Sequence, residues 1–298
     1  MTARLTFIHA LSPLHAGIGQ GAGVIDLPIA REKATGLPFL PGSSLKGTLR
    51  ARCTKPQDCR LVFGPEPTDM QPENNHASSV QFSDQRLLLF PVRSLAGTFA
   101  WVTSPYVLRR LARDIADAQM SLPTQPIPTI QDEESCAVTG TSKIKLTTSV
   151  YLEDLELTKI QANASDTANA WASWIAERVF PADAEWQTLL EERFCIIHDD
   201  VFSFLLETAT EITARIKLKT DTKTVEDGGL WYEEALPTET ILSGLALAAP
   251  TIASGIDAAR VFGVLQELTN TTLQFGGKAT VGRGLCRVLL ASEQVKGA

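Results

Sequence analysis

Residues 41–50 read Pro-Gly-Ser-Ser-Leu-Lys-Gly-Thr-Leu-Arg, which predicts a helix that begins after a glycine-rich turn. Ser43 and Ser44 are residue types that commonly cap a helix N-terminus. The unpaired N–H groups at such a terminus favour anions. An alternating apolar pattern at residues 4–11 precedes this segment and predicts a strand. The start of the chain therefore predicts a strand, a long loop and then a helix suited to an anionic ligand.

The predicted helix has two different faces. Leu45 and Leu49 are four residues apart and form an apolar face that can pack against a sheet. Lys46 and Arg50 have the same spacing and form a basic face. Gly47 lowers helix stability by about 1 kcal/mol relative to Ala, and close approach of a ligand to the backbone would explain its presence. An ordinary packed helix is the alternative interpretation.

The rest of the chain continues this mixture of strands and helices. Residues 54–78 and 121–142 read as irregular, and residues 211–237 as two strands joined by an extended tip. Strands are predicted at residues 80–92, 99–102, 240–247 and 286–291, and helices at 104–119, 163–207 and 257–270. This order predicts an α+β fold with a central antiparallel sheet. A ferredoxin-like or RRM-like core with an inserted helical middle fits it best.

Charge is distributed unevenly along the 298 residues, although the net charge is −7. Residues 1–60 carry eight Lys and Arg against three Asp and Glu, and residues 274–298 carry four against one. The middle of the chain is therefore strongly acidic while both ends are basic. A local basic surface is what binding to phosphate groups requires, so the negative total does not exclude a nucleic-acid ligand.

Cysteine usage and hydropathy indicate the compartment. The five cysteines are scattered, and no nearby histidine completes a zinc site, so we expect reduced thiols at Cys53, Cys59, Cys136, Cys195 and Cys286. No apolar run approaches the ~20 residues that span a bilayer. The first residues resemble a strand rather than a signal segment. These features predict a cytoplasmic protein with no membrane contact.

Two polar residues of the first loop are candidates for chemistry. Asp26 lies in the apolar run Val24-Ile25-Asp26-Leu27-Pro28, and His15 lies in Leu14-His15-Ala16-Gly17. Asp26 can cap a turn, or it can hold a hydrated Mg²⁺, which needs few protein ligands. His15 can be a packed core residue, a ligand contact or an acid–base group. The residues alone leave these alternatives open.

Two later segments are candidate nucleic-acid contacts. Trp231 and Tyr232 on the predicted hairpin can belong to the core or stack on bases. Phe275-Gly276-Gly277-Lys278 and Gly282-Arg283-Gly284 can form a plain hairpin turn or a basic loop that approaches an RNA backbone. Their spacing matches no nucleotide-binding fingerprint, which argues against a nucleotide cofactor.

Five motifs together give the chain a family likeness. They are Leu14–Gly19, Pro38–Arg50, Leu61–Gly64, Leu230–Thr240 and Phe275–Gly284, which cover nearly the whole chain in order. The sequence resembles the RAMP superfamily of CRISPR-associated proteins, and more narrowly the backbone subunits of type III-B (Cmr) effector complexes. Each motif alone is of modest specificity, and their combination is specific.

The resemblance implies one domain over residues 1–298 with the shape of a right hand. An RRM-type palm would be formed by about residues 1–60, 80–102 and 240–298. Helical fingers would be inserted at about 104–207, and a β-hairpin thumb would span about 217–237.

The resemblance also implies a function. Such subunits bind the guide CRISPR RNA, stack into a helical filament of their own copies and assemble with the other subunits of the Cmr complex. They cleave complementary target RNA at regular intervals with a divalent metal ion, Mg²⁺ or another. In this sequence the resemblance assigns metal binding and catalysis to Asp26, with His15 and Glu233 as further catalytic candidates. The expected RNA-binding residues are His15, Gly17, Ser43, Ser44, Lys46, Arg50, Trp231, Tyr232, Gly276, Gly277, Lys278, Gly282 and Arg283.

Two other functions remain open on the sequence. A structural subunit would bind guide RNA without cutting the target. A nuclease that processes guide precursors would cut without a metal ion and without a complementary target. Because a guide-binding protein must accept any guide sequence, contacts to phosphate and sugar are expected to dominate in all of these cases.

Overall fold

The computed structural model describes residues 1–19, 21, 23–65, 76–249 and 256–291. The predicted irregular segment at 54–78 and the predicted palm therefore lie partly outside the described residues. In chain order the strands are β1 (Thr2–Ala10), β2 (Phe39–Leu40), β3 (Val80–Phe82), β4 (Gln85–Arg93), β5 (Phe99–Thr103), β6 (Ser135–Val138), β7 (Lys145–Leu146), β8 (Ser149–Leu152), β9 (Leu155–Leu157), β10 (Lys159–Ile160), β11 (Phe194–Ile197), β12 (Glu211–Leu218), β13 (Val225–Ala235), β14 (Ile241–Ala248), β15 (Leu273–Gln274) and β16 (Leu285–Leu290). The helices are α1 (Gly42–Arg52), α2 (Pro56–Phe63), α3 (Pro105–Asp117), α4 (Ser165–Val179), α5 (Ala184–Arg193), α6 (Asp199–Thr208) and α7 (Ala258–Thr269).

A ferredoxin-like unit forms the centre of the molecule. Its elements follow in the order β1, α1, β3, β14, α7 and β16, and its strands lie side by side in the order β16-β1-β14-β3. Every pair in this group is antiparallel, with Leu5 opposite Leu245 and Ile8 opposite Val288. This is the β-α-β-β-α-β arrangement. The predicted α+β, ferredoxin-like fold is confirmed.

The same sheet continues through the segment that was predicted to be helical. Beyond β14 it runs through β4, β5, β11, β6 and β10. Strand β11 is parallel to β5, so the sheet is mixed rather than antiparallel throughout. The helix prediction for residues 163–207 is wrong at Phe194–Ile197, an apolar run of four buried residues. A run this short has no readable period, so strand and helix cannot be distinguished from it.

Helix α1 begins differently from the prediction. It starts at Gly42, and no side chain caps it from within the segment, so the predicted serine cap is wrong. A carboxylate oxygen of Asp84, from the β3–β4 turn, instead accepts a hydrogen bond from the Gly42 N–H at 2.9 Å. A Cβ atom on Gly42 would lie 2.5 Å from the carbonyl oxygen of Phe82, which explains the glycine. The anion expected at this terminus is therefore supplied by the chain itself.

The cysteine prediction is wrong for one pair. Cys53 and Cys59 form a disulfide that joins the end of α1 to α2. The prediction of an irregular segment at 54–78 is also wrong at Pro56–Phe63, where α2 lies. Cys136, Cys195 and Cys286 are free and buried, and burial raises the pKa of the Cys286 thiol to about 12. None of the described helices has the length and apolar composition needed to cross a bilayer.

The hairpin of β12 and β13 projects from this sheet as a separate two-stranded ribbon. Its pairing begins at Glu211 opposite Ala235, so the ribbon extends further toward the sheet than the predicted thumb at 217–237. The base of β13, Glu233 to Ala235, is buried, while the upper part of the hairpin is exposed. The hairpin therefore has a fixed base and a free arm.

Candidate functional site

Four segments that are far apart in sequence meet at the base of the hairpin. Leu14 and Leu236 exchange two backbone hydrogen bonds of 2.8 and 2.9 Å. Leu27 pairs with Glu233 as a parallel β-bridge, which lays the Asp26 segment along β13. The first loop, the Asp26 segment, the hairpin and the glycine loop, defined as residues 275–284, therefore form one site. The glycine loop joins the site through the Gly277 N–H, which donates a hydrogen bond to the carbonyl oxygen of His15 at 3.1 Å.

His15 is held rigidly at this site. It is 7% exposed, and its Nδ1 lies 2.6 Å from the backbone carbonyl oxygen of Glu234. Because a carbonyl oxygen only accepts hydrogen bonds, Nδ1 carries the proton, and a neutral ring leaves Nε2 as an acceptor. A Cβ atom on Gly17 would lie 2.5 Å from Nε2, so the glycine keeps the space beside that nitrogen open.

Asp26 is exposed and yet fixed in position. Its Oδ2 accepts a hydrogen bond from the Tyr232 N–H at 2.8 Å, and the Leu27 N–H donates to the Tyr232 carbonyl oxygen at 3.1 Å. The partners of Asp26 and His15 on β13 are Tyr232 and Glu234, which are two residues apart. Two residues of a strand span about 7 Å. The structure therefore anchors Asp26 and His15 to neighbouring positions of one strand.

The described residues do not form a complete metal site. They contain no group of three or more His, Cys, Asp or Glu side chains placed to hold a metal ion. Asp26 offers a carboxylate of which only Oδ2 makes a hydrogen bond within the described part of the chain. A single carboxylate suits an ion that keeps most of its water ligands, as Mg²⁺ does. The donor set thus fits a hydrated ion that has one protein ligand among the described residues.

Glu233 is buried among donors. It is 3% exposed, and its oxygens accept hydrogen bonds from the Trp231 indole at 2.8 Å and from Arg215 at 3.3 Å, and pair with the Lys278 ammonium at 2.8 Å. Burial raises the pKa of this carboxyl, but the hydrogen bonds from Lys278, Trp231 and Arg215 outweigh it and lower the pKa to about 2. A carboxylate this acidic is poorly suited to proton transfer near neutral pH.

Glu234 and Arg31 are site residues that were not predicted from the sequence. Glu234 is buried, and its two oxygens accept hydrogen bonds from the Ile29 N–H at 3.1 Å and from the Arg31 guanidinium at 2.5 Å. Arg31 also donates to the carbonyl oxygen of Leu206 at 2.8 Å. Through its side chain Glu234 thus fixes the loop that carries Asp26, and through its carbonyl oxygen it orients His15.

The two cations of the glycine loop are bound to acids of the hairpin. Lys278 pairs with Glu233 and lies 6.0 Å above the Trp231 ring. Arg283 is buried and donates to Glu211 at 2.9 Å and to the Thr213 hydroxyl at 3.1 Å. Through these ion pairs and hydrogen bonds, Lys278 and Arg283 hold the glycine loop against the hairpin.

The glycines of this loop and Tyr232 differ in their surroundings. Gly276 has a φ of 70°, and a Cβ atom there would overlap the carbonyl oxygen of His15. Gly282 faces open space. Tyr232 is 39% exposed on the hairpin, so its ring is available for stacking. The loop therefore approaches the site through its backbone, while the hairpin offers an aromatic ring.

Helix α1 presents the second basic region, here called the α1 basic face and defined by Lys46 and Arg50. Leu45 and Leu49 are buried, so the predicted apolar face is confirmed. Burial lowers the pKa of Lys46, and the positive charge of Arg50 lowers it further. Neither cation pairs with an acid in the described part of the chain. The predicted contacts Ser43 and Ser44 lie in the first turn of the same helix.

Comparison with known proteins identifies the family of this chain. A family model described as the RAMP superfamily matches residues 7–287. The chain is 38% identical over 295 residues to the CRISPR system Cmr endoribonuclease Cmr4 of Pyrococcus furiosus, covering 97% of this chain and 96% of that one. It is 24% identical over 295 residues to the CRISPR system CMR subunit Cmr4 of Saccharolobus solfataricus, with coverage of 94% and 93%.

Solved structures agree with these sequence matches. The crystal structure of oligomeric Cmr4 from Pyrococcus furiosus superposes with a TM-score of 0.76 at 30% identity and covers 98% of both chains. A chain of the type III-B Cmr-beta complex bound to cognate target RNA gives a TM-score of 0.73 at 21% identity over 97% of both chains, which shows a shared fold. Matches in sequence and structure over nearly the whole length establish that the chain belongs to the RAMP superfamily and, within it, to the Cmr4 proteins.

Proposed function

We propose that this protein is a guide-RNA-binding filament subunit of a cytoplasmic type III-B complex and that it cleaves complementary target RNA with Asp26. Two relatives support the assignment by their names, since one is a Cmr endoribonuclease and the other a Cmr subunit. The solved Pyrococcus furiosus relative is oligomeric, which supports assembly with further copies of the chain. The other subunits of the complex, the guide and the target RNA are its remaining partners in this proposal.

The observation that carries the proposal is the fixed, exposed carboxylate of Asp26. Its Oδ2 accepts a hydrogen bond from the backbone of β13. This bond fixes the orientation of the whole carboxylate, and with it the direction of Oδ1. A catalytic group must be held near its productive position, because misplacement by about 1 Å is costly in rate.

Asp26 is also the residue that would hold a divalent ion. When bound, such an ion supplies positive charge that stabilises the charge developing on a scissile phosphate. The chain's own residues do the positioning. The Asp26 segment is clamped by Glu234, and the His15 Nε2 is available to accept a hydrogen bond from an RNA hydroxyl group. Glu233, proposed from the sequence as a second catalytic residue, acts in this arrangement as the acid that positions Lys278, Arg215 and Trp231.

The test is the Asp26→Asn variant in the assembled complex, with a matched target RNA and Mg²⁺. We expect target cleavage to fall by at least about 100-fold, since a residue that acts on the transition state typically contributes that much. Guide binding should be unchanged. Asp227→Asn is the matched control, because Asp227 is an exposed acid of β13, the strand to which Asp26 is hydrogen-bonded. Its cleavage rate should equal that of the wild type.

Two results would assign one of the other functions. If Asp26→Asn cleaves the target as fast as the wild type, the chain is a structural subunit that binds guide RNA without cutting. If the isolated chain cuts guide precursors in the presence of EDTA and without a complementary target, it is a processing nuclease.

A further inference from the structure

A second basic feature lies next to the α1 basic face and is not used in the proposed cleavage site. A cavity of about 520 Å³ opens between α1 and α2, and it is here called the α1–α2 pocket. Arg50 and Arg60 line it, together with the two cysteines of the disulfide and Gln57. Arg50 is oriented by a hydrogen bond of 3.3 Å from its guanidinium to the carbonyl oxygen of Phe63.

The charge of this pocket is not neutralised by the chain. Arg60, like Arg50, forms no ion pair with an acid among the described residues. Asp58, the acid of α2, is instead paired with Arg260 of α7 at 2.6 Å. The two arginines therefore face a common space without a counter-charge, an arrangement that an anion would stabilise.

The pocket also has a covalent frame. The disulfide between Cys53 and Cys59 closes the turn from α1 into α2. Helix α2 has eight residues, which is too short to be stable alone, so its position depends on such constraints. The bridge therefore fixes the separation between Arg50 at the end of α1 and Arg60 on α2.

We propose that the α1–α2 pocket binds one backbone phosphate of RNA, with Arg60 as a further RNA-binding residue. The pocket extends the α1 basic face, because Arg50 belongs to both, and Lys46 lies one helical turn away. A strand of RNA that follows Lys46 and Arg50 would next reach Arg60. The inference rests on the proposed guide-binding function and adds a subsite to it.

The first experiment compares Arg60→Ala with Arg109→Ala in the full-length protein. Arg109 is an exposed arginine of α3, outside the pocket, so both variants lose one positive charge. The probe is a single-stranded RNA of arbitrary sequence, and its association constant is measured over a range of salt concentrations. We expect Arg60→Ala to flatten the slope of log association constant against log salt by about 0.7, the value for one phosphate on a single strand. Arg109→Ala should keep the wild-type slope.

The second experiment uses the disulfide. Cys53→Ser combined with Cys59→Ser removes the bridge and keeps both arginines. We expect this double variant to lose RNA affinity, whereas the same two changes in a background that lacks both pocket arginines, Arg50→Ala with Arg60→Ala, should cause no further loss, because Arg50 lines the pocket as well. A further loss in that background would show that the bridge acts on RNA binding through the general fold and not through this pocket.

A third arm separates RNA from a free anion. If inorganic phosphate raises the melting temperature of the wild type but not of Arg60→Ala, while Arg60→Ala and Arg109→Ala have the same salt slope, the pocket is a free-anion site and the RNA assignment is wrong. Equal slopes without a phosphate effect also overturn the proposal. None of these outcomes depends on target cleavage, so a failure here is distinguishable from a failure of the Asp26 assignment.

Discussion

The glycine loop and the α1 basic face carry the same kinds of charge but use them differently. Lys278 and Arg283 of the loop are paired with Glu233 and Glu211 of the hairpin. Lys46 and Arg50 of the helix have no acidic partner among the described residues, and their charges repel each other. A basic cluster in a sequence can therefore serve either folding or binding. The loop's cations hold the site together, while those of the helix remain available for phosphate groups.

The largest expected effect comes from Glu234→Ala, which removes a buried acid at the base of the hairpin. In Glu234→Ala the Arg31 guanidinium and the Ile29 N–H lose their partner, since both donate to this carboxylate. Removing one member of a buried ion pair costs about 3 kcal/mol or more. We expect a loss of that size in the free energy of unfolding, measured by urea denaturation, together with loss of target cleavage.

Glu226→Ala is the control for this change, because Glu226 lies on the same strand and pairs with Lys217 at the exposed end of the hairpin. An exposed pair contributes less than about 1 kcal/mol. If Glu234→Ala and Glu226→Ala lower the free energy of unfolding equally, the buried Glu234 stabilises the fold no more than an exposed ion pair does, which contradicts a structural role for the base of the hairpin.

Acid should weaken the same region through Glu233. The pKa of this carboxyl is lowered in the folded protein to about 2 from an ordinary value of 4.5. A lowered pKa stabilises the fold above the unfolded-state value, and this stabilisation is lost as the pH falls through the folded-state value. The wild type should therefore be more stable than Glu233→Gln at pH 6, and the difference should shrink between about pH 4.5 and 2. Urea denaturation across this range measures it, and a difference that does not change with pH would contradict the assigned pairing.

A smaller effect is expected in helix α1 at Gly47, which lies between Lys46 and Arg50. A Cβ atom on Gly47 meets no other atom within 4 Å, and the same is true of Gly263 in α7. Replacing either glycine by alanine should stabilise the protein by up to about 1 kcal/mol through helix propensity. Only Gly47→Ala should also weaken RNA binding, because only there does the proposed RNA lie against the helix backbone. Equal RNA affinity of the two variants would place the RNA elsewhere.

The sequence predicts the framework of this fold well. The predictions locate β1, α3, β5, the hairpin, β14, α7 and β16, and the longer of these elements show an alternating or helical period. The short buried strand β11 and the eight-residue helix α2 were missed, since too few residues carry the signal. The start of α1 was misplaced because its cap, Asp84, comes from another part of the chain.

The candidate site is only partly readable from the sequence. Glycine-rich motifs and the isolated Asp26 point to segments that meet at the base of the hairpin. Their contacts are formed over more than 200 residues of chain, as between His15 and Glu234, and no local pattern encodes them. No local sequence pattern predicts the pairing of Lys278 with Glu233 either. Two adjacent glutamates in a strand usually suggest at least one solvated face, whereas here both carboxylates are buried.

The most direct test of this division between the glycine loop and the α1 basic face compares Lys46→Ala with Lys278→Ala in one measurement. Both remove a lysine charge, and the association constant for single-stranded RNA is measured against salt concentration for each. We expect Lys46→Ala to flatten the salt slope by about 0.7 for RNAs of any sequence, while Lys278→Ala keeps the wild-type slope. A flattened slope in Lys278→Ala together with a wild-type slope in Lys46→Ala would contradict the division between the loop and the helix.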